Sequence, residues 1–483
     1  MIDNLFNELI SAHDKYRFEI KLALDRNKFE KANKIEYYFF LPSSLNISHY
    51  TYDKTKFYAS LQRYIRYQTP DITIEMLFEG SNSISPYIRT IEGLDKLKNN
   101  SLDNFLLESI VDEMKLIGTI IKNGINESYS SIISSSSKEE FEASSRHILM
   151  ISEIVEDGLN RLKKKIFSFN FNRRIFESFK YLDDYVTLLE EETLLNILKK
   201  FQVYDKTEVY EKIRNKAVAI NSYRDIEKYI KLSYNNIDYF LYYRGLLKKF
   251  ISSCLFLKAE PTFNLYTHIV SGVASGLAML FAVLITVYVQ MRYSSTSKFF
   301  IITAVIIYIF KDRIKEFVKV VFSKHGSNFI FDRKIKITEP THNIKIGYIK
   351  ESFSILSVDR IDDELIKLRN RDNLDMIDED AKMEVVLKYK TFIKLYYDRI
   401  LKYHTRRKNP LNIIRFSIFD FLKHTDDESV DYNVMDNGSI KSIMAKKTYH
   451  MNVIIKYISD SAVYERYRII FNRSGIMKVN KVI

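Results

Sequence analysis

The sequence predicts an integral membrane protein in which two transmembrane helices form a hairpin attached to a cytoplasmic α+β body. Three observations predict this class: an uncharged apolar run at residues 269–291, a second apolar run at residues 299–310, and basic side chains beyond both outer ends of the pair. The N-terminal half of the body is predicted to be mainly helical, and the C-terminal part to mix strands and helices.

The size and composition of the chain are those of a folded protein. Its 483 residues can form two or three domains that each bury a core. Glycine and proline are scarce, at 12 and 6 residues, which favours long regular elements over extended loops. The single cysteine, Cys254, excludes an intrachain disulfide and indicates a reducing compartment for the body.

The first transmembrane helix is predicted from residues 269–291, which carry no formal charge. At a rise of 1.5 Å per residue this run is about 34 Å long, enough to cross a hydrocarbon core of about 30 Å. The second helix is predicted from residues 299–310, whose length is only about 18 Å. That length alone is typical of a core helix or a re-entrant segment, but Lys298 and Lys311 can extend towards the headgroups. The short linker between the two runs also suits an antiparallel pair.

The orientation follows from the basic residues around the two runs. Arg292 and Lys298 are the only ones in the turn. Upstream lie Arg244, Lys248, Lys249 and Lys258. Downstream lie Lys311, Arg313, Lys315, Lys319 and Lys324. Because basic residues remain on the cytoplasmic side, the sequence predicts a multi-pass protein of the inner (plasma) membrane with both termini in the cytoplasm.

The downstream basic residues are also the predicted lipid contact. Residues 251–483 carry 37 basic and 25 acidic side chains, whereas the rest of the chain is nearly balanced. We therefore expect Lys311, Arg313, Lys315, Lys319 and Lys324 to contact anionic lipid headgroups. Two basic stretches, residues 161–174 and 404–408, could contact nucleic acid, but no recognition motif supports a nucleic-acid partner.

Small residues in the first apolar run predict close helix packing. Gly272 and Gly276 form a GxxxG motif, and Ala274, Ala278 and Ala282 repeat every four residues. Such residues let helix backbones approach closely inside a bilayer. They predict either a homo-oligomer formed through the first helix or contact with the chain's own second helix.

An amphipathic stripe continues beyond the second run. Its apolar positions are Phe310, Ile314, Phe317, Val318 and Val321, with charged residues on the other face. An apolar stripe in a folded protein usually packs on a core, so this stripe is predicted to pack on the body rather than lie in the membrane interface.

The chain divides into four predicted regions. They are a mixed α+β region at 1–85, a helical bundle at 86–262, the hairpin with its amphipathic extension at 267–322, and an α+β domain at 325–483. Because two or three strands form a poor sheet alone, strands near 16–24 and 35–41 are predicted to share a core with those near 449–477. The acidic residues between 426 and 436 are predicted to form a solvated loop.

Motifs for catalysis, nucleotides and metals are absent. The chain contains no GxxxxGK[ST], GxGxxG, HExxH or GxSxG sequence, so no catalytic residue, cofactor or metal is predicted. Cys254 lies in an apolar run and is predicted to be an inert buried thiol. The acidic pairs at 183–184 and 190–192 are predicted to lie on solvated helix faces.

These patterns favour a non-enzymatic function. The leading hypothesis is a membrane-anchored scaffold, sensor or effector that faces the cytoplasm. An oligomeric pore-forming or membrane-perturbing effector is the alternative, and a membrane-bound enzyme of unrecognised type is the third hypothesis.

Overall fold

The computed structural model describes most of the chain. The described ranges are 9–24, 34–79, 84–99, 103–168, 172–201, 207–262, 265–292, 297–325, 331–341, 343–371, 384–403, 410–436, 438–458 and 462–482.

Fourteen strands lie within these ranges. They are β1 (Ile10–Ala12), β2 (Arg17–Ala23), β3 (Lys34–Pro42), β4 (Leu61–Tyr67), β5 (Phe256–Thr262), β6 (Arg333–Glu339), β7 (Ile344–Ser357), β8 (Glu384–Leu395), β9 (Pro410–Ser417), β10 (Ser429–Asp436), β11 (Ser439–Lys446), β12 (Tyr449–Ile458), β13 (Ala462–Asn472) and β14 (Gly475–Lys481).

Thirteen α-helices lie within the same ranges. They are α1 (Lys54–Ser60), α2 (Ile74–Phe78), α3 (Pro86–Asn99), α4 (Asn104–Ser134), α5 (Lys138–Phe167), α6 (Arg173–Phe201), α7 (Glu208–Ile226), α8 (Ile237–Ser252), α9 (Leu265–Arg292), α10 (Lys298–His325), α11 (Asp363–Arg369), α12 (Tyr397–Tyr403) and α13 (Phe419–Leu422). Several begin at a side-chain cap, such as Asp103, whose carboxylate accepts from the backbone N–H of Phe105 and Leu106.

Twelve of the strands form one antiparallel sheet in the order β1-β2-β9-β4-β5-β6-β7-β8-β3-β12-β13-β14. Strand β3 from the N-terminal region lies between β8 and β12, with Tyr38 opposite Lys388 on one side and Ile454 on the other. This confirms the prediction that the N-terminal strands share a core with the strands near residue 450. Neither part of the chain contains the complete sheet.

The sheet curls until its two edges nearly meet. The N–H of Ile476, at the start of β14, donates to the carbonyl oxygen of Lys15 in the β1–β2 turn over 2.8 Å. Gly475 permits this approach, because a Cβ there would overlap the Lys15 carbonyl and its φ of +129° is one that other residues rarely adopt. The edge strands therefore protect each other, and the sheet is barrel-like.

The burial pattern of β3 reflects two covered faces. Tyr37 and Phe39 point into the main core inside the sheet, whereas Tyr38 and Phe40 point outwards into a small core that Leu365 of α11 completes. Because both faces are buried, the strand is apolar almost throughout.

The two large insertions leave the sheet at opposite ends. Helices α2–α8 follow the last residue of β4 and precede the first of β5, and Arg66 and Phe256 pair at that point. We call this the bundle end. Strand β5 then runs to the other end and stops at Thr262, which pairs with Lys334 of β6. Helices α9 and α10 lie between these two paired strands, and we call this the arm end.

Helices α2–α8 share one core with the sheet interior. Ile117 and Leu182 of the helices belong to the same buried cluster as Ile65 and Ile337 of the strands. The hydroxyl of Thr341 in the β6–β7 turn also donates to Asp112 of α4 over 2.5 Å.

The predicted fold class is wrong. Instead of a two-helix membrane hairpin attached to a cytoplasmic α+β body, the protein has a nearly closed twelve-stranded sheet with helices at both ends. Within the described residues only one helix, Ser271–Arg292, is long and apolar enough to cross a membrane. Helix α10 is not apolar over enough of its length to cross a membrane, because charged residues begin again at Lys311, after only 12 uncharged positions.

The acidic segment at 426–436 is also not a loop. All but its first three residues form β10, which pairs with β11 from Ser429 opposite Lys446 to Asp436 opposite Ser439. The alternating apolar residues among the acidic ones account for the strand.

Candidate functional site

The most unusual surface of the protein is the helix pair α9 and α10, which we call the arm. Helix α9 packs against α10. Elsewhere its apolar side chains face outwards: Leu280 is 56% exposed and Leu284 is 59% exposed. The same holds for α10, where Ile302, Ile306 and Ile309 are exposed. A helix pair with apolar side chains on its outer faces needs an apolar environment.

The predicted small residues divide between two faces of α9. Ala274 and Ala278 are buried, and Ala282 is half-buried. Gly272 and Gly276 lie on an open face, since a Cβ at either position would have nothing within 4 Å. The alanines are thus covered within the chain, and the GxxxG face is not.

The predicted headgroup-binding residues lie on the second half of α10. Lys311 places its Nζ 4.6 Å from the centre of the Tyr308 ring, and Arg313 lies 3.6 Å from Glu316 in an exposed pair. Lys315 is half-buried. Lys319 and Lys324 belong to the same helix, and their side chains lie outside the described residues.

The described part of the amphipathic stripe does not pack on the body as predicted, and the side chain of Val321 lies outside the described residues. Phe310 and Phe317 are both exposed, and Ile314 and Val318 are half-buried. The stripe therefore extends the apolar surface of the arm towards the arm end of the sheet.

The acidic pair Asp183 and Asp184 was predicted to be solvated, and this is wrong. Asp183 accepts hydrogen bonds from the hydroxyls of Tyr223 at 2.9 Å and Tyr229 at 2.7 Å. Burial raises the pKa of Asp183, although the two tyrosine hydrogen bonds oppose that rise. The tyrosines come from α7 and the turn after it, so nothing local in the sequence reveals the contact.

The neighbouring Asp184 pairs with a fully buried arginine. Arg224 of α7 lies 2.9 Å from a carboxylate oxygen of Asp184 and 3.2 Å from Glu191. It also donates to the hydroxyl of Thr187 over 3.0 Å, and Tyr243 of α8 donates to Asp184 over 2.7 Å. This network ties α6, α7 and α8 together.

Glu190, six residues further along α6, is buried in a less polar environment. Its Oε1 has no hydrogen-bond partner, and it lies at the wall of a cavity of about 130 Å³ between α5, α6 and α7. The polar groups facing it are Ser152, Lys216, Glu156 and Asp183. Burial raises the pKa of Glu190 to about 8, so the carboxyl is mostly protonated at neutral pH.

Replacing Glu190 with glutamine should remove a pH dependence of stability. The folded-state pKa of about 8 lies above the ordinary value of 4.5, so the folded state holds the proton more tightly. This tighter proton binding stabilises the folded state fully below about pH 4.5. The stabilisation is lost as the pH rises to about 8, and the free energy of unfolding falls by up to about 5 kcal/mol. Denaturant unfolding between pH 5 and 9 should show the decline in the parent chain and a flatter profile in Glu190→Gln.

Glu153→Gln on the exposed side of α5 is the matched control, and its profile should follow that of the parent chain. If Glu190→Gln declines as steeply as the parent between pH 5 and 8, the raised pKa of Glu190 is refuted.

A second buried network crosses the interior of the sheet. Arg63 of β4 lies 2.8 Å from Glu351 of β7, and both side chains are almost completely buried. Tyr389 of β8 donates to Glu351 over 2.6 Å, and Arg63 donates to Asn412 of β9 over 2.5 Å. Burial raises the pKa of Glu351, but Arg63 and Arg333 outweigh it and lower the pKa below its ordinary value.

Both networks pair each carboxylate with arginine or tyrosine, an arrangement that holds helices and strands together. Within the described ranges, no three histidine, cysteine or carboxylate side chains are close enough to hold a metal ion. Cys254 is buried, and its Sγ lies 3.4 Å from the carbonyl oxygen of Ile251, which confirms the prediction of a buried thiol. The arm is therefore the strongest candidate site.

Comparison with known proteins identifies no relative of this chain. No protein-family model matches the chain, and no curated protein or solved structure shows significant similarity to it.

Proposed function

We propose that this protein is a membrane-anchored scaffold, sensor or effector, held to the bilayer by the arm, in which α9 is the helix long and apolar enough to cross it. The observation that carries the proposal is the exposure of apolar side chains on the outer faces of both arm helices. Transfer of a leucine side chain from water into an apolar phase stabilises a protein by about 1.5–3 kcal/mol. The arm exposes many such side chains, so water is a poor environment for it and lipid is a good one.

The pairing of β5 with β6 supports a body that lies on one face of the membrane. Thr262 and Lys334 are paired neighbours, although the whole arm lies between them in the chain. Both ends of the arm are therefore attached to the same rigid sheet. The basic residues near those ends, compared with Arg292 and Lys298 at the tip, favour the cytoplasmic face of the inner membrane.

The open GxxxG face favours self-association as a second candidate function. Gly272 and Gly276 lie on a side of α9 that no other part of the described chain covers. Inside a bilayer, a second α9 could approach this face closely. An oligomer built in this way would be the starting point for the pore-forming or membrane-perturbing alternative.

A single charge in the arm should release the protein from membranes. Leu284→Asp places a carboxylate on the outer face of α9, at a cost of about 2.5–3.5 kcal/mol near the centre of a bilayer. We expect the membrane-bound to soluble ratio to fall roughly a hundredfold, as measured by fractionation of expressing cells and quantitative detection of the chain.

Leu232→Asp is the matched control, because Leu232 is 60% exposed and Leu284 is 59% exposed. This variant, located between α7 and α8, should partition like the parent chain. Equal release by both variants would indicate general misfolding, and retention of Leu284→Asp in the membrane would refute the proposed anchor.

A further inference from the structure

A second apolar projection stands apart from the main sheet. Strands β10 and β11 form their own two-stranded sheet, and none of their residues is buried. We call these two strands, residues 429–446, the hairpin, and the helix pair of α9 and α10 keeps the name arm. Two-stranded sheets are marginally stable in water unless something packs against them. The hairpin therefore needs a partner surface that the described chain does not supply.

The register of the hairpin gathers apolar side chains on one face. Tyr432 pairs with Ile443, and Val430 pairs with Ala445, so all four point to the same side. Tyr432 is 57% exposed and Ile443 is 53% exposed. The opposite face carries Met435, Ile440 and Met444 among polar residues, so both faces expose apolar side chains and only the first bears an aromatic ring.

The base of the hairpin is fixed to the main sheet. The N–H of Lys447 donates to the carbonyl oxygen of Glu428 over 3.0 Å, and the N–H of Asp426 donates to the hydroxyl of Tyr449 in β12 over 3.0 Å. Arg473, just after β13, lies 2.7 Å from Asp427. The hairpin is thus held at one place on the body.

That place is the end of the sheet from which the arm leaves. Strand β9 finishes beside the start of β4, where Phe416 pairs with Leu61, and β12 begins at Tyr449 at the same end. Because β4 and β5 are antiparallel, the start of β4 and the last residue of β5, Thr262, lie at the same end of the sheet. The two uncovered apolar projections of the described residues therefore lie at one end of the sheet, opposite the helical bundle.

We propose that the hairpin is a second membrane contact, with the apolar face of Tyr432 and Ile443 inserted into the lipid interface beside the arm. This inference rests on the proposed function, since an inserted arm brings the arm end of the sheet to the bilayer. Tyrosine favours the interface, where its ring meets lipid and its hydroxyl meets water. Lys446 supplies a cationic group on the same projection for anionic headgroups, whereas Lys441 pairs with Asp436 within the hairpin.

The absence of tryptophan from the chain allows a direct test. Three variants, Tyr432→Trp, Leu284→Trp and Tyr234→Trp, report on the hairpin, the arm and the region before α8. Tyr234 is 97% exposed and belongs to the insertion at the bundle end. The full chain is reconstituted in vesicles of equal parts phosphatidylcholine and phosphatidylglycerol, with or without brominated acyl chains.

Brominated lipid should quench most of the emission of the hairpin and arm reporters and leave the Tyr234→Trp reporter unchanged. Quenching at Leu284→Trp without quenching at Tyr432→Trp would overturn the hairpin inference and leave the anchor intact. Loss of quenching at both would refute the anchor as well. A blue shift at Tyr432→Trp that depends on protein concentration and not on brominated lipid would show that a second copy covers the hairpin, which also overturns the inference.

Discussion

Replacing residues 264–330 with a linker of about four glycine and serine residues should convert the protein into a water-soluble, folded form. The expected change is complete loss from the membrane fraction, with the body intact. The physical reason lies in the sheet: β5 and β6 are hydrogen-bonded neighbours, so a short turn can join them without moving either strand. Asp332, which pairs with Lys54 over 2.6 Å and accepts from Tyr58 over 3.0 Å, remains in the shortened chain.

Cell fractionation and size-exclusion chromatography without detergent check the result, and circular dichroism reports the fold. The matched control keeps the arm and replaces the exposed strand residues Asn433 and Ser442 of the hairpin, which pair with each other, with alanine, and this should leave fractionation unchanged. A shortened chain that still pellets with membranes would show that another surface anchors it. A shortened chain that cannot fold would show that the arm contributes to the core.

Glu351→Gln should be among the most destabilising isosteric changes in the protein. The substitution keeps the shape of the side chain but leaves the buried guanidinium of Arg63 without a carboxylate. Breaking a buried ion pair from one side costs about 3–5 kcal/mol, because the remaining charge stays desolvated. Chemical denaturation followed by circular dichroism should show this loss as a lower midpoint with an unchanged slope.

Glu177→Gln is the matched control, since Glu177 pairs with Arg173 over 2.6 Å on the surface of α6. An exposed pair one helical turn apart contributes about 0.3–0.5 kcal/mol, so this variant should unfold close to the parent midpoint. The double variant Arg63→Met with Glu351→Leu should recover much of the lost stability, because neither charge remains buried. Equal midpoints for Glu351→Gln and Glu177→Gln would contradict the described interior network.

The placement of the insertions determines which end of the sheet would face the membrane if the arm is the anchor. The arm and the hairpin lie at one end of the sheet, and helices α2–α8 lie at the other. A membrane bound at the arm end leaves the helical bundle farthest from the lipid, where it is free to meet partners in the surrounding solution. The cavity at Glu190 lies in that distal part, so a change in its protonation would act far from the membrane contact.

The candidate site was partly predictable from sequence. The uncharged run of α9, its small residues and the surrounding basic residues are all visible in the order of amino acids. Their separate faces follow from the two-residue offset between the glycines and the alanines, but which face is covered was not visible. In the structure Ala274 and Ala278 are buried, and Gly272 and Gly276 have open space around them. The hairpin was missed because the acidic residues near 426–436 obscured the alternation of its strands.

The sequence by itself determined most of the helices predicted at 86–262, the apolar arm and the individual strands near residues 20, 38 and 454, because hydrophobic periodicity is a local property. Residues 256–262 of the predicted helical region instead form β5 of the sheet. Only the tertiary structure decided that these strands form one nearly closed sheet, since β3 and β12 are paired across most of the chain. It also decided that Asp184 and Glu190 are buried. Their burial depends on helices that are distant in sequence and meet in space. A charged residue in a helix is predicted to be exposed from sequence, because a buried partner such as Arg224 beside Asp184 is visible only in the tertiary structure.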